Sequence, residues 1–443
     1  MIDIKQGDCL ELMKNIPDNS IDLIFCDPPY ALGSKVIIKP NGKPDYKKAV
    51  DFMNKWDQPD GAFWEEWFCE AKRVLKHGGH CLMFGMDRQL WFNCYYANLS
   101  GFTQKQSLYW YFISNFPKAS DLSKNLDKNF GAEREVVDIV SANIARPNSK
   151  NYDVSKYEAN RDGETFGSIG KASACIKEIT APNTPLAKKY EGIKYSVAPL
   201  KQTNEVIMVF QKPYKTGSCL HDVLALEAGD DTITCGGVDI EGNRCGVEKV
   251  ENGRAGRIGS GMWQGLATTE KADFSNGRFP AQTFINTQSG QQLDSQRKPK
   301  KNDKDAMPSE IPFICDFEAG DFDLYHYCPK VSKSERNEGL EGFEEKEVRI
   351  TGEWEYSTKG KGLPSANFHP TLKPKALLSK ILKLFKTPNQ QILLDPFMGS
   401  GSMGISAVET GFDYIGYELA PDYFKIAEAR IENAENKIKE MLM

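Results

Sequence analysis

Long apolar runs are missing from this chain. No stretch approaches about 18 consecutive apolar residues, and the amino terminus, MIDIKQGDCLELMKNIPD, has no cationic start followed by an apolar core. Both absences argue against a membrane span or a secretory leader, so a soluble cytoplasmic protein with no membrane partner is expected. An excess of positive charge is missing too: Lys plus Arg number 56 against 61 Asp plus Glu, a net charge of −5. That excludes a globally basic nucleic-acid-coating protein and leaves only local basic patches. An even disulfide framework is also lacking. The count is eleven cysteines, and Cys9, Cys26, Cys69, Cys81 and Cys94 sit singly in apolar helix-like or strand-like segments, which reads as reduced thiols. Cys235 and Cys245 flank GGVDIEGNR without a second ligand pair at zinc spacing, so no metal is expected. No repeat period is present.

What remains is α/β grammar at both ends of 443 residues, enough for two domains or one large domain with an insertion. A short strand at Ile2–Lys5 and a helix over Cys9–Lys14 lead to the apolar strand Ile21–Cys26, which stops at Asp27-Pro28-Pro29-Tyr30. Two prolines cannot donate ladder hydrogen bonds, so the chain leaves the sheet at the strand's carboxyl end, where open α/β sheets put their ligands. FWEEWFCEAKRVLKHGG has helical periodicity, with Gly78-Gly79 expected as its C-cap before a buried strand Cys81–Phe84. Strands are expected again at Ser107–Ile113 and Glu205–Phe210. In the last hundred residues, His369-Pro370-Thr371-Leu372-Lys373-Pro374 precedes an amphipathic helix carrying Leu377, Leu378, Ile381, Leu382 and Phe385. The strand Gln391–Leu394 then runs into Asp395-Pro396-Phe397-Met398-Gly399-Ser400-Gly401-Ser402 and a helix to Thr410. Strand Tyr414–Tyr417 ends at Glu418, and Pro421 opens a final helix.

Two constellations carry chemistry. Gly399 and Gly401 let backbone N–H groups approach a ligand at a helix amino terminus, and Glu418, seventeen residues beyond Gly401, can accept both hydroxyls of a ribose. A nucleoside-containing ligand is implied. Gly404 supplies the third glycine of G-x-G-x-x-G, so the glycines alone leave NAD open. In Asp27-Pro28-Pro29-Tyr30, a rigid turn holds a carboxylate, a backbone carbonyl and an aromatic face close together, which suits a planar amine. Two acceptors at sp³ angles, the Asp27 carboxylate and the Pro28 carbonyl, would localise on nitrogen a lone pair otherwise delocalised into a nucleobase. Tyr30 would stack on that base.

These residues resemble the S-adenosylmethionine-dependent DNA amino-methyltransferases, in the permuted arrangement where D-P-P-Y precedes F-x-G-x-G. The resemblance covers about 1–115 and 365–443, with echoes of phage and prophage members in Asn276–Ala281 and Tyr327–Asn337. It implies a Rossmann-like, circularly permuted methyltransferase sheet, mostly parallel with one antiparallel strand, and an inserted target-recognition region. Carried over, it makes Asp27, Pro28, Pro29 and Tyr30 catalytic. It puts Asp395, Phe397, Gly399 and Gly401 on the cofactor's methionine and ribose side and Glu418 on the ribose hydroxyls. Asp8 and Cys9 would contact the adenine, while Thr371 and Lys373 would close over the methionine end. Where the family has a small residue and Thr, this chain has Met398 and Ser402, and Ser402 keeps the hydroxyl.

The implied activity is methyl transfer from S-adenosylmethionine to the adenine N6 of double-stranded DNA, by base flipping and without a covalent intermediate. Asp27 favours adenine, since family members that methylate cytosine N4 commonly carry Ser there; cytosine N4 is the alternative. C5 chemistry would need a Pro-Cys nucleophile, and the chain has no such dipeptide. An NAD-dependent oxidoreductase would leave Asp27–Tyr30 without a role, and a non-catalytic DNA-binding relic would be expected to lose one of the two motifs. Five segments are expected: a catalytic half at 1–120, an insertion or mobile loop at 121–190, a sheet-completing strand at 191–214, a target-recognition region at 215–345 and a cofactor half at 346–443. Within the recognition region, Lys298, Lys300 and Lys301 are candidate phosphate contacts. The resemblance also implies a bacterial or phage-infected host cell and a link to restriction-modification.

Overall fold

Ile21-Asp22-Leu23-Ile24-Phe25-Cys26 is apolar at nearly every position, and a strand of that kind needs cover on both faces. The structure, a computed structural model, describes residues 1–30, 35–47, 59–87, 90–111, 118–142, 175–200, 202–243, 283–285, 326–327, 331–347 and 364–442. The chain divides into two compact units: Met1–Ser114, Thr203–Lys346 and Ser365–Met443 form the first, Asn115–Gln202 and Glu347–Pro364 the second.

The first unit is built on seven strands: β1 (Ile2–Gln6), β2 (Ile21–Cys26), β3 (Leu75–Gly85), β4 (Leu108–Tyr111), β5 (Asn204–Gln211), β6 (Ile392–Asp395) and β7 (Asp413–Glu418). Among the helices that accompany them are α1 (Cys9–Met13), α2 (Gly61–Val74), α3 (Leu90–Leu99), α4 (Lys375–Leu384), α5 (Ser402–Thr410) and α6 (Pro421–Leu442). The spatial order is β1-β7-β6-β2-β3-β5-β4, extended past β4 by Thr283–Ile285 and His326–Tyr327. Neighbours from β1 to β3 are parallel, and β5 runs antiparallel to both β3 and β4. A mostly parallel α/β sheet with one antiparallel strand is the expected class.

Alternation along β2 sends Leu23 and Phe25 into a cluster with Leu377, Ile381, Ile405 and Ile431 of α4, α5 and α6. Ile24 and Cys26 join the opposite cluster with Met13, Trp64, Trp67 and Phe68 of α1 and α2. β6 lies directly beside β2, with Leu393 opposite Leu23 and Leu394 opposite Ile24. Buried Asp22 ties the start of this pair, accepting from Ile392 N at 2.9 Å and from Lys76 Nζ at 3.0 Å. Connections from β6 and β2 leave to opposite faces, which opens a crevice at their carboxyl ends.

The end of α2 departs from expectation. It stops at Val74, and β3 runs through Gly78 and Gly79 rather than starting after them. Lys212 supplies the cap that glycine was expected to give: its ammonium donates to Lys72 O at 2.8 Å and Leu75 O at 2.7 Å. Burial lowers that ammonium's pKa to about 8. The two glycines serve close approach, because a Cβ on Gly78 would sit 2.8 Å from Thr234 O and one on Gly79 2.9 Å from Asp22 O.

The second unit overlaps the stretch expected as an insertion or mobile loop, and its described residues carry regular structure. Lys118–Asp121 pairs with Lys194–Ala198, and Val136–Ala142 pairs with Cys175–Thr180, both antiparallel. Helices Leu122–Asn129 and Pro185–Lys189 accompany them. Polar groups hold them together: Asp127 accepts from Asn183 N, Thr184 N, Thr184 Oγ1 and Arg134 Nη1 at 2.6–3.0 Å. Burial opposes the Asp127 carboxylate, yet these donors together pull its pKa down to about 2.

Within α5, Gly404 packs against α6 so closely that a Cβ would fall 2.4 Å from Ile431 Cδ1. Gly404→Val is therefore expected to destabilise the first unit by about 1–3 kcal/mol, measured as a lower denaturant midpoint. An unchanged midpoint would mean that the α5–α6 contact yields freely.

Candidate active site

The turn after β2 carries the first group of functional side chains. Tyr30 Oη donates to Asp27 Oδ1 at 2.7 Å, and Lys373 Nζ donates to Asp27 Oδ2 at 2.5 Å. Burial, with Asp27 adjoining, pushes the Tyr30 phenol well above its ordinary pKa, so it stays a neutral donor. Burial alone would lower the Lys373 pKa, but the Asp27 and Glu205 carboxylates outweigh it and hold the ammonium charged. Glu205 Oε2 lies 3.4 Å from Nζ. Its position follows from topology: β5 runs antiparallel, so its first residues reach the edge where the parallel strands end.

The turn after β6 carries the second group. Asp395 Oδ1 accepts from Phe397 N at 3.1 Å, and Tyr414 Oη donates to Asp395 Oδ2 at 3.3 Å. Gly399 has φ +56° and Gly401 φ +81°, the left-handed region that glycine enters without strain. Glu418 spans the turn, accepting Gly399 N on Oε2 and Ala420 N on Oε1, both at 2.8 Å. From behind, buried Arg430 donates to Ser400 O at 2.5 Å and Glu335 O at 3.2 Å, pinning the glycine turn to α6. Burial raises the Asp395 pKa to about 8 and lifts Glu418 as well.

Both turns open onto one cleft of about 330 Å³ within the first unit. Asp8, Cys9, Asp27, Pro28, Pro29, Tyr30, Thr371, Lys373, Asp395, Phe397, Gly399 and Glu418 all line it. Gly401 does not: it forms the N-cap of α5, with its α-carbon against Ala427. Asp8 caps α1, accepting from Leu10 N at 2.8 Å. Lys373, the residue expected over a cofactor's methionine end, lines the cleft with its ammonium on Asp27. Lys298, Lys300 and Lys301 lie outside the described residues.

Several side chains were not singled out from sequence. His369 lines the cleft with its ring 4.5 Å from Tyr423, and burial lowers its pKa to about 4, so the imidazole is neutral. Trp67 stacks on the expected site residue Phe397 at 5.8 Å, which anchors the glycine turn to α2. Glu205 and Arg430 carried no local signal. One is a lone acid on a strand and the other one charge on a helix, and only long-range packing gives either a role.

Burial, with Asp8 beside it, lifts the Cys9 thiol to about 12, whereas Cys69 is exposed. At about pH 8 Cys9 therefore holds almost no thiolate. Iodoacetamide is expected to modify Cys69 and spare Cys9, read by peptide mass spectrometry. Equal rates at the two thiols would contradict the closed packing around α1.

Known proteins resemble this chain over short stretches. M.HinfI, a Type II methyltransferase from Haemophilus influenzae, is 37% identical over 94 residues, and M2.DpnII, from Streptococcus pneumoniae, is 44% identical over 72. These stretches cover 20% and 16% of this chain, and the chain spans only about a quarter of each relative's length, 25% and 26%. The solved structure of an M1.HpyAVI–SAM complex aligns over 97% of this chain and 100% of its own, at 14% identity and a TM-score of 0.35. The family model described as DNA methylase, N6/N4 type, matches residues 21–429, taking in both turns, and the chain therefore belongs to that DNA methylase family.

Proposed function

We propose that this protein methylates the N6 amino group of adenine in double-stranded DNA, using S-adenosylmethionine and a flipped-out target base. The observation that carries the reading is the meeting of the Asp27–Tyr30 turn and the Gly399–Gly401 turn at the ends of two hydrogen-bonded strands, facing one cleft.

The cleft suits that cofactor. Glu418 has both carboxylate oxygens tied to backbone N–H groups, a fixed acceptor for paired hydroxyls. Gly399 keeps its α-carbon bare beside His369, where a Cβ would come 3.1 Å from Nε2. Asp395 and Glu418 are both raised by burial, while the ammonium of Lys373 is already engaged by Asp27. A cationic ligand would relieve that shortage of positive charge. Asp8 and Cys9 would hold the adenine, Glu418 the ribose, and Asp395, Phe397, Gly399 and Thr371 the methionine end. When bound, S-adenosylmethionine supplies a methyl group on a sulfonium, transferable to a nitrogen lone pair.

The chain's own residues prepare the nitrogen. Asp27 and the Pro28 carbonyl accept the two N–H bonds of the amine, which localises its lone pair, and the proton displaced on methylation leaves toward Asp27. Tyr30 fixes the carboxylate through its hydroxyl and offers its ring to the base. Alignment and two placed acceptors account for the catalysis, and no covalent enzyme intermediate is needed. Residues 215–345 are our candidate for target recognition, with Lys298, Lys300 and Lys301 on phosphates, and the Type II relatives suggest site-specific modification of the restriction-modification kind.

Long-read sequencing of DNA from an expressing host without its own methylases is expected to report N6-methyladenine at one recognition sequence. N4-methylcytosine would transfer the same geometry to cytosine, and unmodified DNA would overturn the reading. Asp27→Ala is expected to lower turnover by about 10²-fold or more while S-adenosylhomocysteine still raises the melting temperature. Methylation persisting near the unmutated rate would remove Asp27 from the mechanism.

A further inference from the structure

Asp27 is the acceptor on which the proposed reaction depends, yet in the free protein a cation already sits on it. Lys373 Nζ donates to Asp27 Oδ2 at 2.5 Å and lies 3.3 Å from Tyr30 Oη. The side chain of Lys373 is 8% exposed, so this is an ammonium held inside the cleft, not one exchanging with solvent. It also lies over the Phe84 ring, 4.6 Å from the centroid. A second carboxylate waits within reach. Glu205 Oε2 is buried, finds no hydrogen-bond donor among the described residues, and stands 3.4 Å from Nζ.

We propose that Lys373 is an internal stand-in for the target amine: its ammonium covers the Asp27 acceptor until a nucleobase amino group arrives, and it then moves to Glu205. The proposal rests on the methylase reading above. Three physical points support it. An ammonium and an exocyclic amine both present N–H donors, so they compete for the same carboxylate oxygen. Asp27 is partly buried and keeps the Tyr30 hydroxyl on Oδ1, so the ammonium covers the one oxygen, Oδ2, that would otherwise lack a donor in the free enzyme. The Glu205 ion pair, at 3.4 Å, is longer than the roughly 2.9 Å of an optimal N–H···O bond, and closing it needs a shift of only about half an ångström. The ammonium stays inside the site throughout. A neutral amine therefore replaces it on Asp27 without changing the net charge of the cleft. Lys373 and Glu205 are positioning residues in this scheme, acting through Asp27.

The test is a double-mutant cycle on DNA affinity in the presence of S-adenosylhomocysteine. The probes are two duplexes bearing the sequence that the expressing host shows methylated, one intact and one abasic at the target position. Glu205→Gln is expected to weaken binding of the intact duplex about tenfold, because Lys373 loses its destination, and to leave the abasic duplex unchanged. In a Lys373→Met background the Glu205→Gln effect is expected to vanish. Should Lys373→Met not accumulate as folded protein, Lys373→Gln takes its place. An equal loss in both backgrounds, an equal loss on both duplexes, or no loss in the unmutated background overturns the stand-in role while leaving the methylase reading in place. If the unmutated protein methylates no DNA, that reading fails and the stand-in falls with it.

Discussion

Everything in the first unit depends on the parallel pairing of β2 with β6. These strands come from opposite ends of the chain, and their register, Leu23 with Leu393 and Ile24 with Leu394, brings two turns to one edge of the sheet. Asp22 holds the pair from below by accepting the Ile392 amide, and Lys76 neutralises the charge left in the interior. A one-residue slip would exchange the faces of β6 and carry its Asp395–Gly401 turn away from Asp27. The apolar clusters on the two faces make such a slip expensive, because Leu393 belongs to one and Leu394 to the other.

On that frame the site is a problem in electrostatics. Asp27, Asp395 and Glu418 converge on a cleft walled by Phe84, Phe397, Met398 and Tyr417. Low polarity penalises every uncompensated carboxylate, and each finds a different solution. Asp27 holds an ammonium and a phenol, Glu418 accepts two backbone amides, and Asp395, with one amide and a distant phenol, has its pKa raised to about 8. One compensation, Lys373 on Asp27, comes from the far end of the chain, and the other two each draw a donor from nineteen residues away. The site is thus assembled by the fold and would not survive as isolated segments.

Much of this was legible from residues alone, for identifiable reasons. Ile21–Cys26 and the strand before Asp395 announce themselves by local apolar runs ending in residues that cannot continue a sheet. Gly399, Gly401 and Glu418 follow a spacing that strand and helix geometry impose. The failures share one cause. The end of α2 is set by Lys212, which reaches back from beyond β5, so no helix-stop rule applied to Gly78-Gly79 could find it. Glu205 joins the site only because β5 is inserted antiparallel between β3 and β4. Lys373 was legible as a site residue, but its partner was not, since Asp27 lies 346 residues away. In the second unit the stabilising pattern is polar, centred on Asp127 and Arg134, and leaves little apolar periodicity to detect.

The central claim is that the two turns serve one reaction in one cleft. A crystal structure with sinefungin, in which an amine replaces the S-methyl group, examines it directly. The account predicts the ribose hydroxyls on Glu418 and the amine directed at the Asp27–Pro28 turn, leaving room for a nucleobase nitrogen about 3–3.5 Å away. A ligand whose ribose sits elsewhere, or whose amine points away from Asp27, would contradict it.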